Sequence, residues 1–229
     1  MNITWYGESG FRVESAGKAL LLDPYFSDAL GKIREDRHRL CPVDPAWIQG
    51  QADYLLFTHC HIDHTDPETV ELLLSAHPGL ILAGPPSSRA LLPFAPVFFE
   101  LRAEEKAQLY PFEIEALPAV HSDRWSLGYA VRAEGKTLYF SGDTALLCGV
   151  QDRVPKEADA AFLCFNAGVG KNMNEQDALR MVKAISPRLV VPFHYGVLPG
   201  GVTADEFMAV MGAENIPVRK LEIGETMEL

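Results

Sequence analysis

The segment "FTHCHIDHTD", residues 57–66, places three histidines and two aspartates directly after an apolar run. His59 and His61 are two positions apart, so both side chains lie on one side of an extended backbone. Imidazole and carboxylate groups without a thiolate suit Zn, Mn or Fe, whereas a closed structural zinc site favours cysteines. The alternatives are therefore a catalytic metal site and a polar turn that happens to be rich in histidine.

Three more residues that can bind metals lie at the ends of other apolar segments. His121 follows "FEIEALPAV", Asp143 ends "TLYFSGD", and His194 follows "RLVVPF". A lone histidine at a strand end is more often structural than a ligand. Four such strand ends together favour a site, because sheets with helical cover carry their sites there. Five histidines and two aspartates are too many for one tetrahedral ion, so we expect two ions that share a carboxylate and hold a hydroxide between them.

The elements that would position these residues alternate between apolar strands and amphipathic helices. Residues 53–58, "DYLLFT", are predicted to form a buried strand, and Asp66 is predicted to cap the helix that follows. Asn174 is predicted to cap a second long helix, and Thr203 and Glu206 to form a capping box for the last one. Uninterrupted apolar strands with covering helices predict an α/β (α+β) fold in which sheets pack between helices.

Two stretches of the chain share one pattern. The stretch "GFRVESAGKALLLD" (10–23) aligns without a gap with "GYAVRAEGKTLYFSGD" (128–143), with Gly, Val, Gly, Lys and Leu at matching places. Each stretch is also a strand, a glycine turn and an apolar strand. The repetition predicts a chain built from two similar halves.

Length and composition indicate an ordinary globular protein. The 229 residues suit one domain over 1–229, and 48% hydrophobic with 22% charged residues argue against a disordered chain. The net charge of −11 argues against nucleic acid as a partner, and we interpret the basic cluster "KIREDRHR" (32–39) as a solvated face or loop in preference to a substrate-binding segment. The sequence shows neither a signal peptide nor a membrane span, and its four cysteines lack CxxC spacing. We therefore expect reduced thiols and a cytoplasmic location.

The histidine-rich segment also carries a family resemblance. The run His59-Cys60-His61-Ile62-Asp63-His64, followed by His121, by Asp143 in "SGDT" and by His194 in "PFHYG", resembles the HxHxDH…H…D…H pattern of the metallo-β-lactamase superfamily. The resemblance implies an αββα sandwich of two similar halves. Within the superfamily the chain is most similar to the L-ascorbate-6-phosphate lactonase-like branch, through "ITWYGESGFRVESAGKALLLDP", "RLCPVDP", "SLGYAVRAEGKTLYFSGDT" and "VVPFHYG". Relatives in that branch assemble, which implies a homo-oligomer.

The resemblance implies two divalent metal ions as cofactors, Zn or Mn with Fe as a third option. It implies that one ion is bound by His59, His61 and His121. It implies that the other is bound by Asp63, His64 and His194, and that Asp143 bridges the two. Asp63 would also orient the attacking hydroxide and pass its proton to the leaving oxygen.

Residues beside this pattern have two interpretations each. Tyr195 follows the last histidine and is either a catalytic donor to a developing oxyanion or a core residue. Arg124 is either a phosphate-binding residue or, preferably, a surface residue. By position alone, the residues that could fix the histidine tautomers are Thr58, Ser141 and Thr144. Glu8, where branch members often carry histidine, is either a residue that supports a metal ligand or a turn residue, and the sequence assigns no role to Lys171.

Our leading functional hypothesis is a metal-dependent hydrolase that opens a lactone or ester of a small, sugar-derived substrate, with or without a phosphate. The first alternative is a phosphodiesterase acting on a small or lipid-like phosphodiester, since the same hydroxide attacks phosphorus equally well. The alternative of another class is a non-catalytic metal-binding regulatory protein. Seven filled ligand positions favour an enzyme over that alternative.

Overall fold

Two β-sheets form the centre of the fold. The computed structural model describes residues 1–166, 172–200 and 203–229. In spatial order the first sheet consists of β13 (Thr226–Glu228), β1 (Asn2–Gly7), β2 (Gly10–Ser15), β3 (Lys18–Leu22), β4 (Tyr54–Leu56), β5 (Ile81–Gly84) and β6 (Phe98–Glu100). The second sheet consists of β12 (Val190–Phe193), β11 (Ala160–Cys164), β10 (Lys136–Phe140), β9 (Leu127–Ala133), β8 (Phe112–Pro118) and β7 (Lys106–Leu109).

The helices cover these sheets and connect their strands. They are α1 (Ala29–Ile33), α2 (Pro45–Gln49), α3 (Pro67–Ala76), α4 (Pro86–Leu91), α5 (Glu175–Ile185) and α6 (Ala204–Ala213), with 3₁₀ turns at Glu35–Arg37 and Val150–Asp152. Across the described ranges, no helix is both long enough and apolar enough to cross a bilayer. The mixed arrangement of two sheets and covering helices confirms the predicted fold class.

All three predicted helix starts agree with the structure, but only two of them have a side-chain capping hydrogen bond among the described residues. The Asp66 carboxylate accepts a hydrogen bond from the Glu68 backbone N–H, and the Asn174 side chain accepts one from Asp177. Thr203 occupies the N-cap position of α6, but its side chain makes no capping hydrogen bond within the described chain, so the predicted capping box is wrong. The start of α6 depends instead on apolar burial, since its first turn buries Ala204 and Phe207.

The predicted internal repeat is visible in the topology. Strands β2 and β3 form an antiparallel hairpin through Ala16–Gly17, and β9 and β10 form one through Glu134–Gly135. All four turn residues have positive φ, as a two-residue type I′ turn requires. After each hairpin the next strand joins in parallel, β4 beside β3 and β11 beside β10. The two halves therefore have the same local strand order.

Apolar side chains from both sheets meet in the layer between them. Phe11 on β2 is fully buried, and its ring lies 5.3 Å from that of Phe140, 5.0 Å from Phe162 and 5.6 Å from Phe193. On β4, Leu56 belongs to this core, whereas Leu55 belongs to a second cluster under α3. A strand buried on both faces needs no polar alternation, which explains the uninterrupted apolar run in the sequence.

We predict that Phe11→Ala lowers the free energy of unfolding by about 3–5 kcal/mol, because it leaves a cavity among three aromatic rings. Chemical denaturation followed by circular dichroism measures this loss. The matched control is Phe99→Ala, since Phe99 is 52% exposed and its loss should stay within about 0.5 kcal/mol. Equal losses in the two variants would contradict the inter-sheet core described above.

Candidate metal centre

The seven predicted ligands are brought to one edge of the sandwich by strand direction. Strand β8 is antiparallel to β9, and β9 is antiparallel to β10, so β8 and β10 run the same way; β11 and β12 continue in parallel. His121, Asp143 and His194 therefore follow the carboxyl ends of strands at one edge of the second sheet. His59 follows the carboxyl end of β4 in the first sheet and faces them.

The first group of donor atoms comes from three histidines. The Nε2 atom of His59 lies 3.0 Å from Nδ1 of His61, and that Nδ1 lies 3.2 Å from Nε2 of His121. The ligand atoms of this group all lie within 4.8 Å of one another. Three imidazole nitrogens that converge in this way form one face of a tetrahedral metal site.

The second group combines two histidines with a carboxylate. The Nε2 atoms of His64 and His194 are 3.2 Å apart, and the Asp63 Oδ2 atom lies 3.6 Å from Nε2 of His194. The ligand atoms of Asp63, His64 and His194 likewise all lie within 4.8 Å of one another. These donors lie together in the two sets that the resemblance implied, and their role as metal ligands stays a prediction.

Asp143 lies between the two groups. Its Oδ1 is 3.4 Å from Nε2 of His64, and its Oδ2 is 3.7 Å from Nε2 of His121 and 3.4 Å from Nε2 of His194. One carboxylate therefore contacts donors of both groups. Asn172 donates a hydrogen bond of 2.8 Å to Oδ2 and fixes the carboxylate orientation.

Carboxylates behind the second group hold its two histidines; this role was not predicted for Asp23 and was one of two interpretations for Glu8. Asp23 Oδ2 lies 2.8 Å from Nδ1 of His64 and also accepts a 2.5 Å hydrogen bond from the Thr58 hydroxyl. Glu8 Oε1 lies 3.0 Å from Nδ1 of His194, and the Glu8 carbonyl accepts the His194 backbone N–H. Asp23 could have been identified from the sequence, because it follows an apolar strand as Asp143 does.

The three hydroxyl residues proposed to fix histidine tautomers have different environments. Thr58 lies where it can fix a histidine tautomer, since its Oγ1 is 3.0 Å from Nδ1 of His59. Ser141 instead donates to the Gly142 carbonyl, and Thr144 accepts the Val120 backbone N–H. Neither makes a described hydrogen bond to a ligand histidine.

Two further residues of the sequence analysis lie away from the donor groups. The Tyr195 hydroxyl donates its one proton to the Leu221 carbonyl at 3.0 Å, and its ring packs 4.5 Å from that of Trp5. This placement favours the core interpretation of Tyr195 over a catalytic one. Arg124 is exposed and stacks on Trp125, which agrees with a surface role. Lys171 lies outside the described residues.

The charges of the cluster fit a cation. Burial alone would raise the pKa of Asp143, but His194 and His64 hold it well below its usual range. Burial alone would lower the pKa of His64, but Asp143 and Asp23 raise it to about 9. By contrast, burial and the neighbouring His64 lower the pKa of His59, which leaves a neutral imidazole. Within the described residues Asp143 Oδ1 is buried and has no hydrogen-bond partner, as an oxygen that binds a metal would be.

The donor groups form the floor of a small cavity of about 130 Å³. Its walls include Leu30 and Leu198, and Arg34 and Arg37 from the segment around the first 3₁₀ turn also line it. The Arg37 side chain is only 20% exposed. The predicted solvated face or loop therefore holds for Arg34, whose side chain is 53% exposed, but not for Arg37, because this segment folds back over the carboxyl ends of the strands.

Comparison with known families agrees with this geometry. A family model described as a beta-lactamase superfamily domain matches residues 2–194, which include all seven proposed ligands. The chain belongs to the metallo-β-lactamase superfamily. The superfamily resemblance is thereby confirmed, while the lactonase-like branch stays a prediction.

Relatives within the metallo-β-lactamase superfamily match the chain over most of its length. A UPF0173 metal-dependent hydrolase of Opitutus terrae is 28% identical, and the alignment covers 100% of this chain and 100% of that protein. Another from Pyrobaculum arsenaticum is 28% identical over 87% of this chain and 86% of that protein. The structure of Igni18, a metallo hydrolase of Ignicoccus hospitalis, has a TM-score of 0.78 at 26% identity and covers 100% of this chain and 98% of that one. An isothiocyanate hydrolase from Delia radicum gut bacteria shares the fold, with a TM-score of 0.80 at 18% identity over 100% of this chain and 99% of that one.

We predict that metal uptake releases protons and strengthens as pH rises. The pKa of His64, raised to about 9, keeps this imidazole protonated at neutral pH without a cation, and a bound cation must displace that proton. Competition with a chelator at several pH values below 9 measures the affinity, and calorimetry in two buffers of different ionisation enthalpy counts the protons. An affinity independent of pH would contradict the assignment of His64 as a ligand.

We predict that Asp23→Asn weakens binding of one metal equivalent by about 10- to 100-fold, because the substitution removes the charge behind His64 while keeping the side-chain size. Metal content after graded chelator treatment measures the effect. The matched control is Asp53→Asn, since Asp53 accepts a hydrogen bond from the Ala19 backbone but contacts no histidine of the cluster. Equal affinity in the Asp23 variant and the wild type would contradict the positioning role.

Proposed function

We propose that the protein is a metal-dependent hydrolase that opens a lactone or ester of a small, sugar-derived substrate, with or without a phosphate. The observation that carries this proposal is the contact of Asp143 with both donor groups at the floor of one cavity. The relatives named metal-dependent hydrolases, which match at 28% identity, support the same reaction class.

The proposed centre takes two divalent ions, Zn or Mn with Fe as a third option, in the donor groups described above. When bound, these ions would supply a water of lowered pKa and an electrophile that polarises the bond under attack. The first group consists of His59, His61 and His121. The second group consists of Asp63, His64 and His194, and Asp143 is shared. Because both halves of the chain contribute ligands, we treat residues 1–229 as one functional unit.

Asp63 is the residue we assign to proton transfer. Its half-buried side chain lines the cavity, and the Ser9 hydroxyl donates to its backbone carbonyl at 3.1 Å, which fixes the turn that carries it. A carboxylate at the edge of the cluster can accept the proton of the attacking water and pass it to the leaving oxygen. Asn166 and Glu8 line the same cavity and can orient polar groups of the substrate.

Substitutions should separate metal binding from proton transfer. We predict that Asp143→Ala removes both metal occupancy and turnover, because it deletes the one carboxylate that contacts both groups. Asp63→Asn at saturating metal should lower kcat by about 10²- to 10⁴-fold with less loss of metal. The control is His77→Gln, since His77 lies outside the cluster with Nε2 2.9 Å from the Ile48 carbonyl. Full turnover in the Asp143 variant would contradict the proposal.

A substrate panel decides between the two reaction classes. Protein loaded with Mn or with Zn is tested on neutral and phosphorylated sugar lactones and on bis(4-nitrophenyl) phosphate. The proposed function requires lactone turnover above the rate of the metal alone. Turnover of the phosphodiester only would favour the phosphodiesterase alternative. Less than one equivalent of metal in protein purified without chelator, with no activity after metal is added, would favour the non-catalytic alternative.

A further inference from the structure

Two arginines lie at the mouth of the cavity whose floor carries the metal donors. Arg34 and Arg37 line the same cavity as Asp63, Asp143 and His194. The chain has a net charge of −11, and the cavity floor is rich in carboxylates. Guanidinium groups repel an incoming divalent cation, so a metal site alone gives no reason for them to be there.

The segment that carries the arginines is tied to the site. The Leu40 backbone N–H donates to the Val197 carbonyl at 2.8 Å, and Arg37 Nη1 donates to the Pro199 carbonyl at 3.1 Å. Both carbonyls belong to the loop that follows His194. Asp28 accepts the Arg39 backbone N–H at 2.9 Å and so fixes the other side of the turn. The arginines are therefore held over the cavity by the fold.

Asp36 balances part of this positive charge. Its carboxylate lies 3.0 Å from Nη2 and 3.3 Å from Nε of Arg34, and 4.0 Å from Nε of Arg37. Asp36 is 66% exposed, so solvent weakens its hold on both groups. A bound oxyanion could replace it as the partner of Arg34, because a guanidinium pairs in two-point fashion with carboxylate and phosphate alike.

We infer that Arg34 and Arg37 form a subsite for an oxyanion of the substrate, a carboxylate or a phosphate, while the bond to be broken lies on the donor cluster. This inference rests on the proposed function and specifies its substrate class. The cavity of about 130 Å³ is smaller than ordinary ligand pockets of roughly 300–1,000 Å³. Only the reacting part of a substrate fits inside, so its charged end must lie at the mouth. Leu30 and Leu198 line the same cavity and supply its apolar surface.

Binding of small anions to manganese-loaded protein tests the subsite without turnover. Calorimetry compares methylphosphonate with neutral dimethyl methylphosphonate, and propionate with propionamide, so that the two pairs distinguish phosphate from carboxylate recognition. We expect Arg34→Gln and Arg37→Gln each to weaken binding of at least one anion by about tenfold and to leave the neutral partners unchanged. Asp36→Asn should tighten anion binding.

Arg124→Gln is the matched control, because Arg124 follows the ligand His121 but stacks on Trp125 outside the cavity. Among the described residues, the side-chain hydrogen bonds of Arg34 all go to Asp36 on the same turn, so Arg34→Gln keeps the test valid if Arg37→Gln fails to fold. Anion affinities unchanged by Arg34→Gln, or lowered equally by Arg124→Gln, would overturn the inference. Arginine-dependent binding without hydrolysis of any lactone or phosphodiester would leave the subsite standing and remove the proposed function.

Discussion

The structure depends on one electrostatic constraint, the placement of buried carboxylates where imidazoles converge. Asp143 is almost fully buried, and within the described chain its Oδ1 has no hydrogen-bond partner. An uncompensated buried charge costs several kcal/mol, so positive charge must be present beside it. Without a metal, raised pKa values let His64 and His194 supply that charge as protons. If a metal binds as proposed, the same side chains would act as its ligands, and the cluster would exchange protons for cations.

The double-layered sheet is what allows residues far apart in the chain to satisfy this constraint. Each half of the chain contains a hairpin followed by strands added in parallel, and parallel strands end at the same edge. The proposed ligands therefore enter the site from loops, while β4, β11 and β12 behind them are buried along their whole length. Phe11 and its aromatic neighbours hold the two layers together close behind these loops.

Much of this arrangement was predictable, because it depends on the types and spacing of residues that are adjacent in the sequence. The histidine spacing, the caps at Asp66 and Asn174 and the repeated hairpin each follow from a few adjacent residues. The role of Asp23 was not predicted, and the sequence left two alternatives open for Glu8 and for the two cavity arginines, because these roles come from contacts between distant segments. Asp23 and His64, for example, are 41 residues apart. Tyr195 illustrates the same limit: its neighbour His194 is in the cluster, and only the fold shows that the tyrosine hydroxyl donates to Leu221.

The two donor groups differ in the residues that contact the Nδ1 atoms of their histidines. In the second group, both histidines have a carboxylate at Nδ1, Asp23 for His64 and Glu8 for His194. In the first group, His59 has the Thr58 hydroxyl at Nδ1, and the described residues offer no hydrogen bond to the buried Nδ1 of His121. A carboxylate behind an imidazole raises its basicity and its strength as a ligand. Together with Asp143, the same carboxylates raise the pKa values of His64 and His194 and hold protons on them when no cation is present. The group with the more basic imidazoles is thus also the one that would have to lose protons to bind a cation. The two donor groups would therefore differ both in donor strength and in their response to pH.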